Sequence, residues 1–241
     1  MNTKMILFDL DGTLLPMDQD EFTKGYFSLL VEKMSPYGYE PEKLINAVWK
    51  GTAAMVVNTG EQSNEECFWE KFFQAFGQKV LSDKLLFDEF YKEDFQRAKA
   101  YCGYNENAVK TVSEIKKAGF RTALATNPIF PAIATESRIV WAGFDPSDFE
   151  LYTTYENTSY CKPNPDYYRN ICKRLGVLPE ECLMVGNDVT EDMVAQSIGM
   201  KVFLLTDCLI NKNRQDISGY PKGDFEDLLN FIKHNSEKIS K

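Results

Sequence analysis

The stretch Met5-Ile6-Leu7-Phe8-Asp9-Leu10-Asp11-Gly12-Thr13-Leu14-Leu15 decides the fold. An apolar run stops at two aspartates set two residues apart, and a glycine and a threonine follow at once. The run reads as a strand buried on both faces, as in a parallel sheet. Side chains at i and i+2 leave a strand on the same side, so Asp9 and Asp11 can act on one substrate atom. Gly12 permits a tight turn just past the strand end, where open α/β sheets bind their ligands. A carboxylate pair there can bind a hard cation such as Mg²⁺, or supply a nucleophile and a general acid. Asp-x-Asp-Gly also opens calcium loops. That version needs further oxygen ligands and a scheduled Glu between two helices, whereas here a strand precedes and Leu14, Leu15 and Pro16 follow.

Working outward, 241 residues allow one large or two modest domains, and 44% hydrophobic residues with 17 Phe can fill a sizeable core. No apolar run approaches a membrane span, and the charged Lys4 leads directly into the first strand rather than into a signal peptide. A soluble, cytoplasmic protein without a membrane partner is expected. The balance of 27 basic and 36 acidic residues, a net −9, argues against nucleic-acid binding. Six scattered cysteines (67, 102, 161, 172, 182 and 208) contain no Cys-x-x-Cys pair. They read as reduced thiols rather than a zinc site or disulfides. The single histidine, His234, sits in a polar segment and reads as a surface residue. A histidine-based triad would depend on it alone, so the chemistry is sought among the acids.

After the first strand the pattern turns helical, over residues 21–34, 41–57, 64–77 and 82–100. This block carries Phe22, Tyr26, Phe27, Trp49, Phe68, Trp69, Phe72, Phe73 and Phe76. Their spacing suits helix packing rather than a ligand cage. Lys24, Lys33, Lys43 and Lys50 read as solvated. Beyond residue 105 helices and strands alternate: helices at 107–118, 132–141, 165–175, 190–198 and 225–233, strands at 120–126, 149–154, 182–186 and 201–206. Such alternation implies an α/β parallel sheet with helices on both faces. The all-helical block is then an insertion after the first strand.

Three further signals fall at strand ends. Thr126-Asn127 offers a hydroxyl and a backbone N–H suited to a phosphoryl oxygen, or an ordinary cap. Lys162, before Pro163, can balance the charge of a nucleophile and a phosphoryl group, or be a surface lysine. Asn187-Asp188, with Asp192 one helical turn on, can complete a Mg²⁺ site, or serve only as acids at a helix start.

Together, Asp9-Leu10-Asp11-Gly12-Thr13, Thr126-Asn127, Lys162-Pro163 and Asn187-Asp188 with Asp192 resemble the haloacid dehalogenase superfamily of aspartate-nucleophile phosphohydrolases. The resemblance spans the chain and implies the phosphatase branch. Its expected fold is a Rossmann-like core of residues 1–16 and 101–241, with a type 1 helical cap at 17–100. It implies Asp9 as nucleophile and Mg²⁺ ligand. Asp11 would be general acid then base, with its main-chain carbonyl also on the metal. Thr126, Asn127 and Lys162 would bind the phosphoryl group, and Asp188 would be the third protein ligand. Asp192 would hold Lys162 or a metal-bound water. Asn187 stands where members with two adjacent acids have the first of them. Asp11 favours phosphoryl transfer over dehalogenation, since a halide leaving group needs no general acid. The expected partner is a small phosphorylated metabolite, handled by a monomer or homodimer. A phosphotransferase or mutase, a non-catalytic binding protein and a calcium module are the alternatives. Substrate choice is expected from the helical block, hinged near residues 16–18 and 101–103.

Overall fold

A computed structural model describes residues 3–235. Five strands, β1 (Met5–Phe8), β2 (Arg121–Leu124), β3 (Cys182–Gly186), β4 (Lys201–Leu205) and β5 (Lys222–Gly223), form one sheet in the order β2-β1-β3-β4-β5. Every pairing is parallel. The strand order changes direction at β1, which has β2 on one side and β3 on the other. That leaves a crevice beyond its carboxyl end. Asp9, Thr126-Asn127 and Asn187-Asp188 follow β1, β2 and β3 there.

The two-residue period of β1 is visible in its burial. Ile6 and Phe8 join one apolar cluster, with Leu124, Val185 and Phe203; Met5 and Leu7 join another, with Ala123, Met184 and Leu204. Against the first face pack α5 (Glu106–Lys117), α6 (Ala132–Trp141) and α8 (Phe225–Asn235); against the second packs α7 (Pro165–Leu175). This is the α/β sheet covered on both faces that the alternation implied. Asn164 caps α7 and Gly176 closes it in the left-handed region at φ 64°. His234 is exposed on α8, and the six cysteines are unpaired. Among the described residues no helix is long and apolar enough to cross a membrane.

Between β1 and β2 the chain is helical: α1 (Gln19–Met34), α2 (Pro41–Val56), α3 (Asn64–Phe76) and α4 (Lys79–Lys92), then a 3₁₀ segment at Asp94–Tyr101. The expected single helix at 82–100 is therefore two elements. The change of axis after α4 turns Phe95 inward, edge-on to Phe22 and stacked on Trp141 at 5.2 Å. The core of the block is thus continuous with that on one face of the sheet. Its two links lie side by side, since Met17 bridges Cys102 and Gly103 N–H donates to Pro16 at 2.7 Å.

Two other expectations are corrected. Residues 149–154 run beside β2, with main-chain bonds from Glu150 N to Thr122 O, Leu124 N to Leu151 O and Thr153 N to Leu124 O, but form a single bridge, Leu124–Tyr152, rather than a strand. The threonine hydroxyls there also donate to main-chain oxygens, Thr122 to Asp148 and Thr153 to Thr126. Residues 190–198 give turns and then a 3₁₀ helix at Met193–Ile198. The start of that segment is held by the Asp188 carboxylate, which accepts from Thr190 N and Glu191 N at 2.7 and 2.9 Å.

Gly12 carries the turn after β1, with φ +83°. A Cβ there would lie 2.3 Å from Asn187 Nδ2. Gly12→Ala is expected to cost about 1–2 kcal/mol from the left-handed backbone alone, read as a lower urea midpoint. An unchanged midpoint would mean the turn has a second conformation open to alanine.

Candidate active site

Three strand ends and the segment before α7 bring the acidic and basic side chains together. Asp9, buried at the end of β1, is held on both oxygens. Lys162 Nζ donates to Oδ1 at 2.8 Å and the Thr13 hydroxyl donates to Oδ2 at 3.0 Å. The same hydroxyl lies 3.0 Å from Asn187 Oδ1, while Asn187 Nδ2 donates to Cys208 O at 2.6 Å. Asn187 is therefore occupied in tying the first and third strand ends together. Asp188 faces the cavity, with Oδ1 on the two N–H groups described above.

Lys162 is 1% exposed and also donates to Asp192 Oδ1 at 2.6 Å. Burial alone would lower its pKa; Asp192 and Asp9 outweigh that and hold the ammonium well above its ordinary range. Burial pushes Asp192 up to about 7 against the pull of Lys162. The other Asp192 oxygen accepts from Asp188 N at 2.9 Å. Gly186 makes this approach possible, since a Cβ there would lie 2.1 Å from Asp192 Oδ2. Thr126 lines the cavity, and its main-chain oxygen is fixed by the Thr153 and Tyr167 hydroxyls at 2.6 and 2.7 Å. Asn127 donates to Glu191 Oε2 at 3.0 Å and accepts from Lys162 N at 3.3 Å.

The sequence-predicted residues, from Asp9 through Asp192, therefore meet at one place. Two others were missed. Arg138, fully buried on α6, pairs with Asp11 Oδ2 and lies over the Phe130 ring at 4.4 Å. Its Nε also donates to Ala134 O at 3.2 Å. Burial raises the pKa of Asp11 and Asp9 adds to this, while Arg138 and Lys162 oppose it. Glu191 lines the cavity beside Asn127, and burial pushes it up to about 7. An arginine mid-helix with no motif around it gives no local signal; only the topology brings α6 to β1.

The aromatic residues divide. Phe72 and Phe76 pack the block's interior. Phe22, Tyr26, Phe27, Trp49, Phe68 and Trp69 also wall one continuous cavity that reaches Asp9. Phe22 and Tyr26 are at the same time buried in the core, and Phe27, Phe68 and Trp69 pack against it, as their spacing suggested.

Five carboxylates line this cavity (Asp9, Asp11, Asp188, Glu191 and Asp192), and among the described residues only Lys162 and Arg138 form ion pairs with them. Asp11 Oδ1 is buried without a hydrogen-bond partner, a costly arrangement unless a proton or cation serves it. All-oxygen donors with excess negative charge suit a hard divalent cation. Among the described residues no three acidic, cysteine or histidine side chains already converge on one point, consistent with Asp11 being drawn aside to Arg138.

Comparison with known proteins points to one family. Pyrophosphatase PpaX of Bacillus velezensis is 23% identical over 196 residues, 81% of this chain and 80% of its own. A HAD phosphatase from Thermococcus onnurineus superposes with a TM-score of 0.60 at 19% identity, over 95% of this chain and 98% of its own. The hydrolase YfnB of Bacillus subtilis, solved bound to magnesium, gives 0.58 at 17% identity, over 96% and 99%. The family model for haloacid dehalogenase-like hydrolases matches residues 3–199, which hold every residue of the site. A parallel sheet with acids at two adjacent strand ends and that match lead to one assignment: the chain is a hydrolase and belongs to the haloacid dehalogenase-like family.

Proposed function

We propose that this hydrolase is a Mg²⁺-dependent phosphatase that cleaves a small phosphomonoester through an aspartyl-phosphate on Asp9. The observation that carries the reading is the fixed carboxylate of Asp9 on Lys162 and Thr13, with a second acid, Asp11, two residues on. A carboxylate held this way is oriented for in-line attack. Asp9 oxygen bonds to phosphorus and the bond to the leaving oxygen breaks, while Asp11 gives that oxygen its proton. A water then attacks phosphorus, Asp11 takes its proton, the bond to Asp9 breaks, and inorganic phosphate leaves.

For this, Asp11 has to leave Arg138 and turn toward the leaving oxygen. Thr126, Asn127 and Lys162 would hold the phosphoryl oxygens, and Asp192 keeps Lys162 in place. Asp9, Asp188 and the main-chain carbonyl of Asp11 would hold Mg²⁺, which when bound neutralises charge on the phosphoryl oxygens. The helical block 17–100 acts as the cap over a core of 1–16 and 101–241, and its paired links are the place for it to open. The unpaired cysteines suit a reducing, cytoplasmic setting.

The test is phosphate release from about fifty phosphorylated metabolites and a generic aryl phosphate, with Mg²⁺ and with EDTA. Release is expected with Mg²⁺ and loss of at least about 100-fold with EDTA, restored by added Mg²⁺. Metal-independent release would remove the cation from the reading. Phosphate handed to a sugar rather than to water would identify a phosphotransferase.

A further inference from the structure

We propose that the substrate's leaving group is an uncharged aromatic alcohol, bound in the cavity between the helical block and the sheet. This deepens the phosphatase reading and rests on it. The cavity is asymmetric. Its floor, at the strand ends, carries all five carboxylates. Its walls are rings and aliphatic groups: Phe22, Phe27, Trp49, Phe68 and Trp69 from the block, and Phe130 from the core. The polar groups above the floor are neutral, among them Gln19, Thr23 and Thr52. Among the described residues no lysine or arginine lines the cavity. Lys24 and Lys50 are exposed, Lys33 pairs with Glu89 and Asp94, and Lys43 lies over Phe76. Lys162 and Arg138 are each engaged by carboxylates.

The consequence follows from charge. A leaving group carrying a second phosphate or a carboxylate would bury that anion among the wall rings, away from the floor where Lys162, Arg138 and the proposed Mg²⁺ act, and among the described residues no cation lines those walls. Such burial is strongly unfavourable. A neutral ring meets the opposite situation. The walls offer faces and edges, as in the Phe27–Trp49 contact at 5.4 Å, and a bound aromatic ring extends this packing. The Tyr155 hydroxyl, which accepts from Trp69 Nε1 at 3.3 Å, gives the leaving group one polar contact, in keeping with apolar pockets that carry few polar groups.

The experiment compares four phosphates on the Mg²⁺-loaded protein: benzyl phosphate, phosphoglycolate, inorganic pyrophosphate and phosphocholine. Benzyl phosphate and phosphoglycolate are both esters of alkyl alcohols, so intrinsic reactivity does not decide between them. Benzyl phosphate is expected to lead each of the others in kcat/KM by at least about 50-fold, the value of burying one ring. Trp49→Ala is expected to raise its KM about tenfold with kcat within about twofold. Thr52→Lys, which places a cation on the wall, is expected to raise kcat/KM for phosphoglycolate about tenfold.

Phosphoglycolate or pyrophosphate leading would overturn the inference and leave the phosphatase reading standing. Phosphocholine leading would show that the rings serve a cation and would overturn it equally. Tryptophan fluorescence with benzylphosphonate and phosphonoacetate, neither of which can be hydrolysed, separates the two claims. If no substrate is turned over but benzylphosphonate binds at least about tenfold more tightly, the cavity assignment holds and the phosphatase reading falls. Equal binding of the two phosphonates sinks the cavity assignment whatever the turnover.

Discussion

Asp9→Asn is expected to lower turnover by at least about 10⁴-fold while the protein stays folded, with its urea midpoint close to wild type. The first half follows from chemistry: a neutral amide cannot form the acyl phosphate, and removal of a covalent nucleophile leaves only binding and electrostatic effects. The second half follows from the hydrogen bonds around Asp9. The Thr13 hydroxyl is within 3.0 Å of both Asp9 Oδ2 and Asn187 Oδ1, and a hydroxyl donates one proton at a time. With an amide at position 9, that proton goes to Asn187 and the Thr13 oxygen accepts from the new N–H. The amide oxygen still faces Lys162, which keeps Asp192 as its ionic partner at 2.6 Å. Lys162 and Thr13, the two side chains that hold Asp9, each keep a partner. Phosphate release and denaturation on the same preparation check both halves. Turnover within tenfold of wild type would mean that Asp9 is not the nucleophile.

What the sequence disclosed depended on the range over which each signal acts. The first strand was legible because its apolar residues alternate between two cores, and an unbroken apolar run is the mark of such burial. The acids at 9, 11, 188 and 192 were legible because each follows a strand within a few residues. Arg138 was not, because its meaning depends on α6 crossing the end of β1, a contact 127 residues apart in the chain. Asn187 was assigned a place but not its task, which is to accept from Thr13 and donate to Cys208 across two loops. The aromatic block shows another limit. Helical spacing puts Trp69 and Phe72 within one turn of each other, yet Trp69 reaches the cavity wall and Phe72 the interior. Periodicity identifies the buried face of a helix without saying whether it meets side chains or a ligand.

Lys162→Met is expected to damage both stability and turnover. Lys162 lies between two buried carboxylates, at 2.8 Å from Asp9 and 2.6 Å from Asp192. Methionine fills similar space but removes the charge, so the cost is that of leaving buried acids uncompensated, about 3–5 kcal/mol. Turnover should fall by at least about 10³-fold, because the phosphoryl group loses a fixed donor and Asp9 loses its orientation. The pH dependence separates this cause from simple misfolding. Burial already pushes Asp192 up to about 7, above the roughly 3.9 of an unfolded aspartate. Removing Lys162 raises the folded value further, so the folded state binds more protons than the unfolded one between those limits. Stability of the variant should therefore rise as pH falls from about 7 toward 4. The double change Lys162→Met with Asp192→Asn tests the same point at neutral pH. It removes the excess charge and should recover more than half of the lost stability, while turnover stays low. A single variant as stable as wild type at pH 7, or a double variant no better than the single, would mean that the two acids are not held desolvated around Lys162.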